Sequence, residues 1–320
     1  MADVVAFGEM LIDFVPTVTG QGLADAKAFE KAPGGAPANV AVGLARLGIP
    51  SAFMGMLGED GFGHFLAETL RGAGVDVSPL RFTTKAHTGL AFVSLRADGE
   101  REFLFYRDPG ADMLMTPADV DEASIRDAKL LHFGSVSLIA EPARAATLHA
   151  VAIARRHGKL IAYDPNLRVA LWPDPDAARD GIWRGLAEAD IVKIGQEELA
   201  FLTGREDPIA AARTLWPARL QLMAVTCGSG GCRWLTPERD GKVASFAVRA
   251  VDTTGAGDAF MAGLIAGILV DRAIPRDTAR IEEICRFANA AGALATTGRG
   301  AIPSLPTRNE IEQLLQRTTH

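Results

Sequence analysis

The chain has 320 residues, of which 48% are hydrophobic and 22% charged, and its formal net charge at pH 7 is −6. This composition indicates a folded globular protein. The acidic balance speaks against nucleic acid or an anionic membrane as the main partner, because both select a basic face. The longest uncharged apolar run, 259–270, is too short to span a bilayer, and the first residues lack the pattern of a signal peptide. We therefore expect a cytoplasmic protein.

Short β-branched runs alternate with helical patterns along most of the chain. The runs are residues 4–7, 130–133, 159–164, 189–194 and 222–226, followed by a hairpin pattern at about 231–248. This alternation predicts an α/β fold with a mostly parallel central sheet, covered by helices on both faces and extended at one edge by the hairpin. Such a sheet binds its ligand beyond the carboxyl ends of the strands.

Two segments interrupt the alternation. Residues 88–107 contain two runs of alternating polarity around Asp98-Gly99, which is a strong hairpin signal, and residues 11–31 form a weaker extended region. A hairpin does not easily enter a parallel core. We therefore expect a small separate β-sheet, acting as a lid, from segments at about 11–33 and 86–112.

The first glycine motif is "GGAPANVAVGLARLG", residues 34–48, in which the apolar residues follow helical spacing. Gly34 and Gly35 stand immediately before the predicted helix. One interpretation is an ordinary tight turn before a capped helix, and a lone diglycine favours it. The other is that the glycines expose backbone N–H groups to a polar ligand while Asn39 adds an amide.

The second motif is "DTTGAGDAF", residues 252–260, where Asp258 lies at the start of an apolar helical run. An acidic residue there commonly offsets the helix dipole. That role does not explain the small residues from Gly255 to Gly257, which leave first-turn N–H groups open to an anion. An anion cradle beside a carboxylate suits phosphoryl transfer. The N–H groups hold phosphate oxygens, and an ordinary ionised Asp258 orients and deprotonates the attacking hydroxyl.

Three further signals follow predicted strands and are weak individually. Arg168, in "YDPNLR", is either a surface cation or a group that neutralises the moving phosphoryl charge. Glu197 and Glu198 follow another strand, where one of them would hold a magnesium-bound water. "VTCGSGGC", residues 225–232, supplies a glycine-rich turn.

The motifs of several other enzyme classes are missing from the sequence. It has no GxxxxGK[ST], HRD, DFG, GxSxG or GxGxxG, which disfavours P-loop and protein kinases, α/β-hydrolases and dinucleotide-dependent dehydrogenases. Three cysteines form neither a disulfide framework nor a CxxC pair, and the six histidines include no HExxH. A bound metal would therefore be held by oxygen.

With these motifs, the chain resembles the carbohydrate kinases of the ribokinase (PfkB) family, and within it the fructokinases, over essentially all of its length. Stretches that favour fructokinases include "GEMLIDF", "KAPGGAPAN", "LRADGEREF", "DPNLR" and "GRGAIPSLPT". The resemblance implies a single Rossmann-like domain over residues 1–320 with a β lid, ATP as donor, Mg²⁺ as cofactor and often a homodimer joined through the lid. The implied reaction is phosphorylation of D-fructose to fructose 6-phosphate.

The resemblance also implies roles for individual residues. Asp258 would be the catalytic base, Gly255, Ala256 and Gly257 the anion hole, and Arg168 a neighbour of the transferred phosphate. The sugar would be bound by Asp13, Gly34, Gly35, Asn39 and, reaching in from the lid, Arg107. The nucleotide would contact Thr226, Gly228, Gly231 and Asn289, and Glu198 would hold a magnesium-bound water. A monovalent cation such as K⁺, which family members often bind, would lie at Asp252, Thr254, Ala295, Gly298, Gly300 and Ser304.

Two departures from the ribokinase pattern bear on the substrate. Leu11 stands where ribokinases have an asparagine two residues before Asp13, so ribose loses one hydroxyl contact. Of the ribokinase Asn-x-x-Glu motif only Glu198 is retained. The alternatives are a sister kinase, such as 2-keto-3-deoxygluconate kinase or ribokinase, and a non-catalytic sugar- or nucleotide-binding regulator. The intact GAGD argues against the regulator, which has no need of Asp258.

Overall fold

Strands and helices alternate along most of the chain, as the apolar runs of the sequence predict. The computed structural model describes residues 1–18, 20–95, 101–271 and 273–317. The strands are β1 (Val4–Phe7), β2 (Leu11–Pro16), β3 (Phe29–Gly34), β4 (Ser51–Met54), β5 (Met56–Gly58), β6 (Arg81–Thr83), β7 (Leu90–Leu95), β8 (Arg101–Tyr106), β9 (Leu130–Gly134), β10 (Leu160–Asp164), β11 (Ile191–Gly195), β12 (Leu222–Thr226), β13 (Cys232–Leu235) and β14 (Asp240–Val243). The helices are α1 (Ala36–Arg46), α2 (Gly61–Gly72), α3 (Glu122–Asp127), α4 (Ala143–Arg156), α5 (Pro175–Glu188), α6 (Gln196–Thr203), α7 (Pro208–Thr214), α8 (Ala256–Asp271), α9 (Thr278–Ala295), α10 (Ala301–Ser304) and α11 (Arg308–Arg317).

The main sheet has eight strands in the order β14-β13-β12-β11-β10-β9-β1-β4. The strands from β12 to β4 pair in parallel, whereas β13 and β14 form the antiparallel hairpin at one edge. The predicted α/β class, the five predicted strands and the edge hairpin are therefore confirmed. Strand β4 was not predicted, because its short run "SAFM" has no alternating pattern and few strongly β-forming residues.

Helices cover both faces of the main sheet, and β1 shows why. Val4 and Ala6 belong to a core shared with α1, α8 and α9, whereas Val5 and Phe7 face a second core shared with α4 and α5. Helix α8 is apolar on all sides and lies between α1 and α9. A Cβ at Gly43 of α1 would lie 2.8 Å from Ala262 Cβ, so this glycine allows α1 to approach α8 closely. This contact places the starts of both helices side by side.

A separate four-stranded sheet, in the order β3-β2-β7-β8, is built from the two segments expected to form the lid. Strand β2 pairs antiparallel with β3 and parallel with β7, so Asp13 lies between Ala32 and Ala91. The predicted turn at Asp98-Gly99 falls outside the described residues. Strands β5 and β6 form a small parallel pair beside the main sheet. Within the described ranges, no helix is long and apolar enough to cross a membrane.

Candidate active site

Asp258 lies in the first turn of α8 with its side chain buried. Because α1 packs against α8, the side-chain amide of Asn39 reaches this carboxylate, and its Nδ2 donates to Asp258 Oδ2 at 2.8 Å. Asn166, in the loop after β10, donates to Oδ1 at 3.4 Å. Two amides from different elements therefore orient the carboxylate, and Asn166 is one that the sequence reading did not identify.

Burial raises the pKa of Asp258 above its ordinary value, so the structure departs from the ordinary carboxylate expected from the sequence. The Asn39 hydrogen bond and the positive charges of Lys193 and Arg168 act in the opposite direction and lower this pKa. The ionisation of Asp258 thus depends on its neighbours.

The three small residues before Asp258 form the beginning of α8. Gly255 has φ +81°, a conformation that favours glycine, and a Cβ there would lie 2.8 Å from Ala301 Cβ. A Cβ at Gly257 would lie 2.7 Å from Lys193 Nζ. Ala256 N donates to Thr253 O at 3.3 Å. Since the first N–H groups of a helix have no acceptor within it, Gly257 and Asp258 present backbone donors and a positive dipole end at this turn.

The predicted sugar-binding residues Asp13, Gly34 and Gly35 lie at the junction of the small sheet and α1. A Cβ at Gly34 would lie 2.2 Å from Asp13 Oδ2, so the Gly34 backbone lies directly against this carboxylate. Gly35 has φ +115° and turns the chain into α1. Burial raises the pKa of Asp13 to about 6, while the charge of Arg168 lowers it and that of Asp258 raises it. These mutual influences indicate that Asp13, Arg168 and Asp258 share one site.

Arg107, at the end of β8, is buried and paired rather than free. Its Nε donates to Asp112 Oδ2 at 2.8 Å, its Nη2 contacts the same oxygen, and both side chains are 4% exposed. Glu9, after β1, lies close enough that the Arg107 charge lowers its pKa, although burial dominates and raises it to about 7. Glu9 and Asp112 were not predicted from the sequence as neighbours of Arg107. The predicted contact of Arg107 with the sugar remains a prediction.

The Arg107–Asp112 pair allows a test of stability. Removing Asp112 takes away the hydrogen-bonded partner of the buried Arg107 and leaves Glu9 as a neighbouring carboxylate, so we expect Asp112→Ala to lower the free energy of unfolding by about 3 kcal/mol. Urea denaturation followed by circular dichroism measures this change. The control is Asp127→Ala, which breaks the exposed pair with Arg126 and is expected to change stability little. Equal effects of the two substitutions would contradict the prediction.

Glu198, at the start of α6, holds the loop that carries Arg168. Its Oε2 accepts from Gly195 N and its Oε1 from Leu167 N, both at 2.6 Å. Arg168 itself is exposed, and its Nη1 donates to the carbonyl of Leu167 at 3.1 Å. The structure therefore gives Glu198 a positioning role that the sequence did not indicate, and the magnesium-water role remains a prediction.

Three of the four predicted nucleotide residues lie at or just beyond the carboxyl end of β12. Thr226 ends this strand, and Gly228 and Gly231, with φ +54° and +88°, shape the turn into β13. Asn289 in α9 is buried, and its Nδ2 donates to Val243 O at 3.1 Å and to the next carbonyl at 3.2 Å. This amide group therefore already fixes the end of β14. Within the glycine turn, Gly230 N donates to Cys227 O at 2.9 Å and Gly231 N to Gly228 O at 3.1 Å.

Three of the residues predicted for a monovalent cation, Asp252, Thr254 and Gly300, are joined by hydrogen bonds in the loops before α8 and α10. Asp252 Oδ1 accepts from Thr254 N and Oγ1 at 2.9 and 2.7 Å, and Asp252 Oδ2 accepts from Gly300 N at 2.9 Å. Ala295 ends α9, and the Gly298 backbone lies against Ser304 at the end of α10, while their role in binding a cation remains a prediction. In the described part of the chain, no three His, Cys, Asp or Glu side chains form a metal site. A cation here would need backbone, water or phosphate oxygens as its main ligands.

The sequence profile of the "pfkB family carbohydrate kinase" matches residues 1–308. The chain belongs to the pfkB family of carbohydrate kinases.

Relatives of this kinase carry fructokinase names. It is 52% identical to "Probable fructokinase-4" of Arabidopsis thaliana, covering 98% of this chain and 96% of the relative. Its structure is similar to that of a Xylella fastidiosa fructokinase with bound ATP, with TM-score 0.91, 38% identity and complete coverage of both chains. A Vibrio cholerae fructokinase with fructose, ADP and calcium matches with TM-score 0.88, 36% identity and coverage of 98% and 99%.

One further pair in this kinase was missed from the sequence. Lys193 in β11 is buried, and its Nζ lies 3.0 and 3.1 Å from the two carboxylate oxygens of Asp164 at the end of β10. The sequence does indicate such a pair, because a lysine inside the apolar run "ADIVKI" needs an oppositely charged or hydrogen-bonding partner when the strand is buried.

Proposed function

We propose that the protein is an ATP-dependent fructokinase that phosphorylates D-fructose at its 6-hydroxyl and releases fructose 6-phosphate and ADP. The observation that carries the proposal is the buried Asp258 carboxylate, held by Asn39 at the start of α8 in the same site as Asp13. The fructokinase relatives, 52% identical over nearly the whole chain, support the same activity.

In the proposed transfer each group has a role. Asp13 binds sugar hydroxyls and Asp258 accepts the proton of the attacking hydroxyl. The oxygen of the sugar hydroxyl forms a new bond to the γ-phosphorus. The bond between that phosphorus and the bridging oxygen of ATP breaks, and ADP leaves with the electron pair. First-turn N–H groups of α8 and the Arg168 guanidinium stabilise the charge on the transferred group.

The charge around Arg107 favours a neutral acceptor sugar. A kinase for a sugar acid, such as 2-keto-3-deoxygluconate, needs a cation that is available to the substrate carboxylate. Here the Arg107 guanidinium is already paired with Asp112 and faces Glu9, so its charge is compensated. A neutral ketohexose has no carboxylate that would have to compete with these two acidic residues.

ATP and a metal ion complete the proposal. A divalent ion, proposed to be Mg²⁺, would neutralise charge on the phosphates, and in this proposal Glu198 binds a water molecule of that ion. K⁺ at the Asp252 loop is also part of the proposal. The calcium ion in the Vibrio cholerae fructokinase structure supports a metal requirement in general.

Assembly, domain organisation and location also belong to the proposal. We propose one kinase domain over residues 1–320 that works in the cytoplasm and forms a homodimer through its lid sheet. The lid supports this assembly by exposing apolar side chains, Leu104 and Tyr106 on β8 and Val15 on β2.

Arg168→Ala tests the charge-stabilising role. We expect kcat to fall roughly 10²-fold with a smaller change in the KM for fructose, because the charge it opposes grows in the transition state. Steady-state kinetics with saturating ATP measures both constants. The control is Arg205→Ala, an exposed arginine just beyond α6, which should leave kcat unchanged. A rise in KM at unchanged kcat would make Arg168 a ground-state binder.

The function is tested by measuring ADP release with ATP and Mg²⁺ against fructose, ribose, glucose, 2-keto-3-deoxygluconate, fructose 6-phosphate and adenosine, with and without K⁺. We expect the highest kcat/KM with fructose. Highest kcat/KM with 2-keto-3-deoxygluconate would replace the proposal by the sister activity. No turnover on any acceptor would favour a binding protein.

A further inference from the structure

The buried ion pair between Lys193 and Asp164 has no role in the transfer described above. The two side chains are 8% and 2% exposed, respectively. A buried pair of this kind contributes little net stability, because removing both charges from water costs about as much as their attraction returns. Its position beside the reacting groups therefore suggests a functional effect.

Lys193 lies directly behind the first turn of α8. A Cβ built on Gly257 would lie 2.7 Å from Lys193 Nζ, so the ammonium group abuts the backbone of the residue that precedes Asp258. Burial lowers the pKa of Lys193, but the carboxylates of Asp164, Glu198 and Asp258 together raise it above its ordinary value and so favour the charged form. A fixed positive charge is thereby placed next to the catalytic base.

Charged groups from several elements act on Asp258. Two are cations, and both lower its pKa: Lys193 from β11 and Arg168 from the loop after β10. The carboxylates of Asp13, from β2, and Asp164, at the end of β10, also interact with Asp258, whose charge raises the pKa of both. Arg168 is exposed, so water screens its charge, whereas Lys193 is buried and held by two oxygens.

We propose that Lys193, held in place by Asp164, is a positioning residue that keeps Asp258 ionised and ready to accept a proton in the buried site. The proposal rests on the fructokinase activity proposed above. In this role the Lys193–Asp164 pair offsets the free-energy cost of burying the charged Asp258 carboxylate.

The test compares the pH dependence of kcat/KM for fructose in the wild-type enzyme, Lys193→Met and Lys193→Arg. Without the lysine charge the pKa of Asp258 rises, so the acid limb of the profile moves to higher pH. We expect kcat/KM of Lys193→Met to be lower by about tenfold at about pH 6, with the deficit shrinking above about pH 8. Lys193→Arg keeps the charge and should stay near the wild-type profile.

Asp164→Asn provides a second variant. It replaces the carboxylate that holds Lys193 and favours its charged form, so the acid limb should move to higher pH, as in Lys193→Met. This variant decides the question if Lys193→Met does not fold. A uniform loss of kcat/KM across pH in both variants, with the acid limb unmoved, would make the pair purely structural. A wild-type enzyme inactive on fructose would instead refute the proposed function.

Discussion

Replacing Asp258 by Asn is expected to lower kcat by about 10³-fold while fructose binding remains measurable. The amide has the shape of the carboxylate and its oxygen can still accept the Asn39 hydrogen bond, but it cannot take the proton of the sugar hydroxyl. Turnover is followed by ADP release, and binding by calorimetry with fructose. The loss of kcat should be large because Asp258 is buried, so bulk water cannot easily act as the proton acceptor in its place.

The matched control for this substitution is Asp271→Asn, at the other end of α8. Asp271 pairs with Arg280 on the surface, so the change removes a carboxylate from the same helix without touching the site. Its kcat should equal that of the wild-type enzyme. Near-normal turnover by Asp258→Asn would exclude Asp258 as the base.

The second large effect is expected for Gly34→Ala. A methyl group at this position would lie 2.2 Å from Asp13 Oδ2, so the carboxylate must move away from the place where it meets the sugar. The loss of a hydrogen bond to a charged group corresponds to about a 10- to 100-fold higher KM for fructose. Steady-state kinetics at saturating ATP gives this value, and the KM for ATP should change little.

Gly72→Ala is the control for an added methyl group, since a Cβ at Gly72 in α2 would meet no atom within 4 Å. Its KM for fructose should match that of the wild-type enzyme. An unchanged KM in Gly34→Ala would remove Asp13 from the sugar-binding group.

The main features of the fold could be predicted because they depend on local pattern. Apolar runs specify β1 and β9 to β12, and the glycines before Asp258 mark the start of a buried helix. The short edge strand β4 has no such pattern. The sequence could not show that Glu198 holds the loop before Arg168, because this contact depends on which loops meet at the sheet edge.

The electrostatics of the site were the hardest part to predict. Arg107 was expected to reach the substrate, but it is paired with Asp112 and lies near Glu9. These three residues come together only in the folded chain. Asp258 was expected to be an ordinary carboxylate, yet its burial raises its pKa. Burial is a property of the folded chain, and no local motif specifies it.

Asp13 and Asp258 are carried by different layers of the protein. Asp13 belongs to β2 of the small sheet, whereas Asp258 belongs to a helix that covers the main sheet. A sugar is large enough to be held by the first group while it presents a hydroxyl to the second. A sugar held in this way contacts both layers, so the proposed reaction depends on how the small sheet lies relative to α8.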